Sequence, residues 1–139
     1  MLFYCFCFQF IVMEKALKDF FDSLLVQRKK CPWAKSRGIE QQLPELESEI
    51  QEFKQAIARN DLENMREEYG DMLWDALSIG IIAEEKGLFS IRDAIEEAHA
   101  KLRRRKPWVF GNEKVKTAEE AVKRWNEIKA EEKKARNKH

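Results

Sequence analysis

The sequence predicts an all-α protein: an antiparallel helical bundle of about four core helices plus a C-terminal helix, all in one domain. Three observations predict it. Gly and Pro number only 5 and 3 in 139 residues, while hydrophobic residues make up 44% and charged ones 37%, a mixture that suits helices better than strands and turns. Apolar residues recur at helical spacing, and no stretch reads convincingly as a strand. The connection at Asn60-Asp61 is short, as between antiparallel helical neighbours.

Taken in order, residues 1–12, MLFYCFCFQFIV, stand apart. The run is too short to span a bilayer and lacks the charged start and cleavage site of a signal peptide. It reads as an apolar extension from an upstream start, with an edge strand or an oligomer contact as alternatives. Residues 13–134 form the helical domain and 135–139 a solvated tail. The first helix runs from about Glu14 to Lys29 on Leu17, Phe20, Phe21, Leu24 and Leu25. Pro32 disfavours helical geometry at Cys31 and ends it. A loop through Gly38 carries Trp33 and Lys35, candidates to sit over a ligand.

The second helix spans about Gln42 to Arg59, with Leu43, Leu46, Ile50, Phe53 and Ile57 as its buried stripe and Pro44 in its first turn. Asp61 is the N-cap of the third, about Leu62 to Lys86, whose wide apolar face makes it the most buried helix. Gly87 suits its C-terminal turn. Ser90 with Asp93 opens a fourth helix to about Arg105, carrying His99 as a structural residue. A loop covers 106–112. Thr117 with Glu120 starts the last helix, about Ala118 to Ala135, with Ala121, Val122, Trp125 and Ile128 on one stripe.

With 26 basic and 25 acidic residues, the net charge of +1 gives no reason to expect nucleic-acid or membrane binding. Cys5, Cys7 and Cys31 make neither a disulfide framework nor a zinc spacing, and the two histidines, His99 and His139, are isolated. A reducing, cytoplasmic setting fits, and a zinc or other nitrogen- and sulfur-ligated site does not.

The distribution of acids is more telling. At ~100° per residue, Glu45, Glu49 and Glu52 share an arc of ~60° on the second helix, and Glu68, Asp71 and Asp75 do so on the third. Like charges at such spacing repel. No Lys or Arg lies between Arg37 and Lys54 or between Arg66 and Lys86 to relieve them. Reduced to spacing, the pattern is Glu49-x-x-Glu52 and Glu68-x-x-Asp71, which two antiparallel helices can gather around a common point. Four carboxylates of this kind suit a hard divalent cation: one or two Mg²⁺, or Mn²⁺ in its place, bridging substrate phosphates. A solvated acidic face is the competing reading.

The pair resembles the metal signature of the all-α nucleoside triphosphate pyrophosphohydrolases, specifically the MazG family. Cys31-Pro32-Trp33 is similar to that family's CPWD segment, and Glu67-Glu68-Tyr69-Gly70-Asp71-Met72-Leu73 to its E-L-G-D-L-L stretch. Residues 101–110 resemble K-L-x-R-R-H-P-H-V-F, and residues 125–133 resemble W-x-x-I-K-A-x-E-K. The likeness covers about residues 14–134 in consistent order. It implies Mg²⁺-dependent cleavage of NTPs or dNTPs between the α and β phosphates, to a monophosphate and pyrophosphate, as nucleotide-pool sanitising by a homodimer or homotetramer. Glu49, Glu52, Glu68 and Asp71 are then the metal ligands. Arg104, Arg105 and Lys129 contact the triphosphate, and Trp33 and Trp108 stack on the base. Departures are Ser48 where the family has a first Glu, Ala34 for the Asp of CPWD, and Lys106 and Trp108 for two histidines. With Ser48 in place, Glu45 and Asp75, one turn from Glu49 and Asp71, are the candidate proton acceptors. A narrower dUTP or dCTP pyrophosphatase and a catalytically silent binding module are the alternatives.

Overall fold

A computed structural model describes the backbone of residues 2–137 and the side chains of residues 11–137; Met1, Lys138 and His139, and the side chains of the apolar extension as far as residue 10, lie outside the described residues. The described chain is all-helical, with seven helices and no strand: α1 (Leu2–Lys30), α2 (Pro32–Ser36), α3 (Ile39–Arg59), α4 (Leu62–Glu85), α5 (Ile91–Arg104), α6 (Pro107–Phe110) and α7 (Ala118–Arg136). It divides into two compact units between Ile91 and Arg92.

In the first unit, α3 and α4 are the principal packed pair, and α1 lies against α2 and α4. Helix α1 continues through residues 2–12 without a break, so the edge-strand alternative for the extension does not hold. It stops at Lys30, as Pro32 requires, with Cys31 extended at φ −85°, ψ 117°. Pro32 then opens the helical turn α2 where the sequence reading had a loop. Proline's fixed φ and missing N–H suit the first helical position. Arg28 of α1 ties this turn down, donating to the carbonyls of Ala34 and Arg37 and to the Glu85 carboxylate.

Helix α3 begins three residues earlier than predicted. The Gly38 N–H donates to the Gln41 side chain at 2.8 Å, capping the start at Ile39. Pro44 is therefore inside the helix and not in its first turn, at the loss of one backbone bond. Asn60 ends α3 in the left-handed region (φ 53°, ψ 38°), and Asp61 caps α4 by accepting the Asn64 N–H at 3.2 Å. Gly87, at φ 66°, closes α4 as expected.

The predicted stripe on α3 is displaced. Leu43 and Ile57 are 45% and 53% exposed, while Gln42 and Ala56 are buried. On α4, Tyr69 is exposed while Glu68 and Asp75 are buried, followed toward its end by Ile81, Ile82 and Ala83. Polar groups thus occupy the inner line of the α3–α4 pair, and several apolar side chains face outward.

The second unit holds α5, α6 and α7. Pro107 opens the turn α6 inside the expected loop. Thr117 caps α7, accepting the Glu120 N–H at 3.2 Å, and the Glu120 carboxylate accepts from the Lys116 N–H. Ile128 is buried, but Val122 of the predicted stripe is 60% exposed. His99, read as structural, is exposed on α5. No helix among the described residues is long and apolar enough to cross a membrane.

Candidate metal centre

Glu49 on α3 and Glu68 and Asp71 on α4 converge. Each offers a carboxylate oxygen, and the three lie within 4.8 Å of one another. Glu68 is only 5% exposed, and the other two are half-buried. None of the three carries an ion pair among the described residues. Burial, the Glu68 hydrogen bond and the charges of Glu52, Asp71 and Glu68 push the Glu49 carboxyl up to about 7. An all-oxygen, base-free cluster that holds a proton near neutrality has the donor chemistry of a Mg²⁺ or Mn²⁺ site, so the residues present fit such an ion.

Glu52 stands at the margin. It is exposed and accepts a hydrogen bond from Ser48 Oγ at 3.2 Å, outside the convergent three but close enough to raise Glu49. Asn64 was not foreseen. With its nitrogen turned toward Glu68, it donates to Oε1 at 3.1 Å and accepts from Arg59 at 3.2 Å, the orientation that satisfies both neighbours. Its cue was its place one turn before Glu68 on the helix that Asp61 caps.

A cavity of about 250 Å³ adjoins the cluster, with Glu49 and Asp71 in its lining together with Trp33, Trp74, Asp75 and Ser78. Arg37 is its hub. The guanidinium lies 4.6 Å from the Trp33 ring, donates to Glu45 at 2.7 Å and donates through Nε to Gln42 Oε1 at 3.2 Å. Gln42 Nε2 in turn donates to Asp75 Oδ1 at 2.5 Å. Burial pushes the Asp75 carboxyl up, with Glu45 and Asp71 adding to the shift while Gln42 and Arg37 oppose it. Neither Arg37 nor Gln42 was singled out from sequence, because nothing in their spacing marks them.

Of the remaining sequence candidates, Glu45 lines the cavity, whereas Lys35 is exposed on α2 and does not. In the second unit Glu132 accepts from Arg104 at 2.7 Å and from Arg105 at 2.8 Å, and these arginines, Arg105 first, lower its carboxyl to about 2. Trp108 is half-buried and Lys129 exposed.

Residues 37–110 match the MazG nucleotide pyrophosphohydrolase domain. The chain is 34% identical over 109 residues to the nucleoside triphosphate pyrophosphohydrolase of Escherichia coli, covering 78% of this chain and 41% of that protein. It is 37% identical over 103 residues to the nucleoside triphosphate pyrophosphohydrolase/pyrophosphatase MazG of Thermotoga maritima, covering 74% and 39%. It therefore spans about two-fifths of the length of these curated relatives. A crystal structure of a mazG-related protein from Thermotoga maritima superposes with a TM-score of 0.74 at 38% identity, covering 81% of this chain and 98% of that one.

Proposed function

Since the chain belongs to the MazG nucleotide pyrophosphohydrolase family, we propose that it hydrolyses nucleoside triphosphates between the α and β phosphates, releasing a monophosphate and pyrophosphate. The observation that carries this reading is the convergence of Glu49, Glu68 and Asp71, unpaired by any base, beside a cavity with tryptophan in its walls. These three carboxylates would hold Mg²⁺, with Glu52 able to join them by releasing Ser48. A divalent cation bound there neutralises phosphate charge and acidifies water.

The acceptor of the attacking water's proton is Glu45 rather than Asp75 on access: each has one oxygen engaged, Glu45 by Arg37 and Asp75 by Gln42, but the Glu45 side chain is 49% exposed at the cavity one turn before Glu49, whereas Asp75 is 8% exposed. Trp33 offers its face to the base. Arg104, Arg105, Lys129 and Trp108 enter on the resemblance alone, as contacts to the triphosphate and base. The outward apolar residues Ile57, Leu62 and Tyr69, at 53%, 72% and 56% exposure, support a homodimer or homotetramer, which light scattering checks. Nucleotide-pool sanitising is the role this chemistry serves.

The test is pyrophosphate release from each NTP and dNTP with Mg²⁺, comparing the parent with Glu49→Gln and Asp71→Asn. Loss of turnover in both is expected. Unchanged turnover in both would remove the site assignment, and binding of Mg²⁺-nucleotide without turnover by the parent would make the chain a silent binding module.

A further inference from the structure

We propose that Asp75 selects the nucleobase: the cavity accepts a base presenting an amino group to this carboxylate and disfavours the matching base that presents a carbonyl there. The proposal rests on the triphosphate reading above and assigns the specificity of that same site.

Asp75 lies one helical turn past Asp71 on α4, and both line the cavity. A nucleotide held at Asp71 by its phosphates reaches about one turn, on the order of 6 Å, before its base begins, which is the offset between the two aspartates. The polar surface it meets there is fixed in advance. Arg37 can only donate, so Gln42 must turn its oxygen toward Arg37 Nε and its nitrogen toward Asp75 Oδ1. Arg37 cannot swing freely, because Glu45, the Gln41 carbonyl and the Trp33 ring hold it. One N–H and one lone pair of the Gln42 amide are thereby engaged, and Asp75 Oδ1 with them.

What remains is Asp75 Oδ2, which has no hydrogen-bond partner among the described residues. No buried side-chain oxygen among the described residues is left unsatisfied, so this edge is open to solvent, and the cavity is what Asp75 faces. Burial raises the Asp75 carboxyl while Gln42 and Arg37 favour its ionised form, and it is as the ionised carboxylate that Oδ2 only accepts. The 4-amino group of cytosine and the 6-amino group of adenine can donate to it; the 4-oxo group of uracil or thymine and the 6-oxo group of hypoxanthine oppose it at that position, leaving those bases only the neighbouring ring N–H to donate. Among the other lining groups, Ser78 and Gln27 can donate or accept, the Trp33 and Trp74 indoles can donate through Nε1–H, and Glu45 can accept. Asp75 Oδ2 differs from these in belonging to a carboxylate that Gln42 holds in one orientation. A hydrogen bond to a charged group, replaced by opposed acceptors, is a difference of at least about 10-fold.

The experiment uses the full chain with Mg²⁺ and compares kcat/KM within two matched pairs, dCTP against dUTP and dATP against dITP, each differing at the edge in question. The expected result is at least about a 10-fold preference for the amino member of each pair. In Asp75→Asn, which keeps an oxygen for Gln42 and adds a donor, that preference should shrink or invert. The parent comparison alone keeps the proposal testable if the variant folds poorly. Equal turnover within the pairs, preference for the oxo members, or a uniform loss in Asp75→Asn with the ratios intact overturns the proposal while leaving triphosphate hydrolysis standing. No turnover of any triphosphate overturns both.

Discussion

Two glutamates of identical chemistry are driven in opposite directions in the two units. Glu132 in the second unit sits between Arg104 and Arg105, which lower its carboxyl to about 2. Glu49 in the first unit sits among Glu52, Glu68 and Asp71 with no cation, and is pushed up to about 7. Arg124 repeats the paired pattern, reaching Glu113 at 2.9 Å, Glu131 at 3.4 Å and Glu127 at 3.6 Å. The second unit resolves its charges internally. The α3–α4 face leaves its own unresolved, and bearing that repulsion through folding makes sense where a cation from outside completes the cluster.

The largest effect separating the two glutamates is on activity. Glu49→Gln should lower turnover by at least about 100-fold, since even residues one shell outside a metal commonly cost 10- to 100-fold. The same change should not lower the melting temperature measured in EDTA, because it removes a like charge. Glu132→Gln should do the reverse in stability. It leaves Arg105, 13% exposed, without its charged partner and should cost about 2 kcal/mol in urea unfolding, with the Mg²⁺ dependence of turnover unchanged. Equal destabilisation by the two changes would dissolve the contrast.

This contrast was partly legible in the sequence. The i, i+3 spacing of Glu49, Glu52, Glu68 and Asp71 and the absence of Lys and Arg around them are local facts, and helical geometry turns them directly into a shared face. The caps at Asp61 and Thr117 and the closing Gly87 were legible for the same reason, each being a short-range rule. The inner line of α3 was not. Leu43 and Ile57 carry the apolar period, yet Gln42 and Ala56 are what the fold buries. Periodicity finds an apolar stripe but cannot say whether that stripe meets this chain's own helices or looks outward. The turns α2 and α6 were missed because Pro32 reads as a helix stop and Pro107 falls inside a loop, and proline at the first helical position is also a start. The Arg37–Gln42–Asp75 chain joins residues 33 apart at its far end, and no local rule reaches that distance.

A smaller effect sharpens the comparison through the two caps. Asp61→Ala and Thr117→Ala each remove one acceptor from a helix start and should each cost about 1 kcal/mol. Asp61 also sets the first turn of α4, which holds Asn64 against Glu68. Its loss should therefore raise the Mg²⁺ concentration needed for half-maximal turnover, while the loss of Thr117 should leave it alone. A Mg²⁺ titration of both variants decides this, and equal shifts would mean that α4 places its carboxylates without help from its own start.

The smallest expected effect is in the pH dependence of stability, and its sign follows from the direction of each shift. Glu49 is raised from an ordinary 4.5 to about 7, so the folded state binds its proton more tightly than the unfolded chain does. That contribution is fully present below about pH 4.5 and is lost as pH rises through about 7. Glu132 is lowered, so its contribution is present above its ordinary 4.5 and lost only as pH falls toward about 2. Glu49 should therefore make metal-free stability fall between pH 5 and 8, and Asp75, which burial also raises, acts in the same direction while Glu132 does not. Solvent screening of a half-buried group keeps the change to on the order of 1–2 °C in melting temperature. Glu49→Gln should flatten it, and Glu132→Gln should not. Mg²⁺ should oppose it too, because the cation must displace the Glu49 proton below about pH 7 and binds without that competition above it. The Mg²⁺-induced rise in melting temperature should then be larger at pH 8 than at pH 5.5. A rise of equal size at both would mean that the cation does not compete for the Glu49 proton, and hence that it binds away from the three convergent carboxylates.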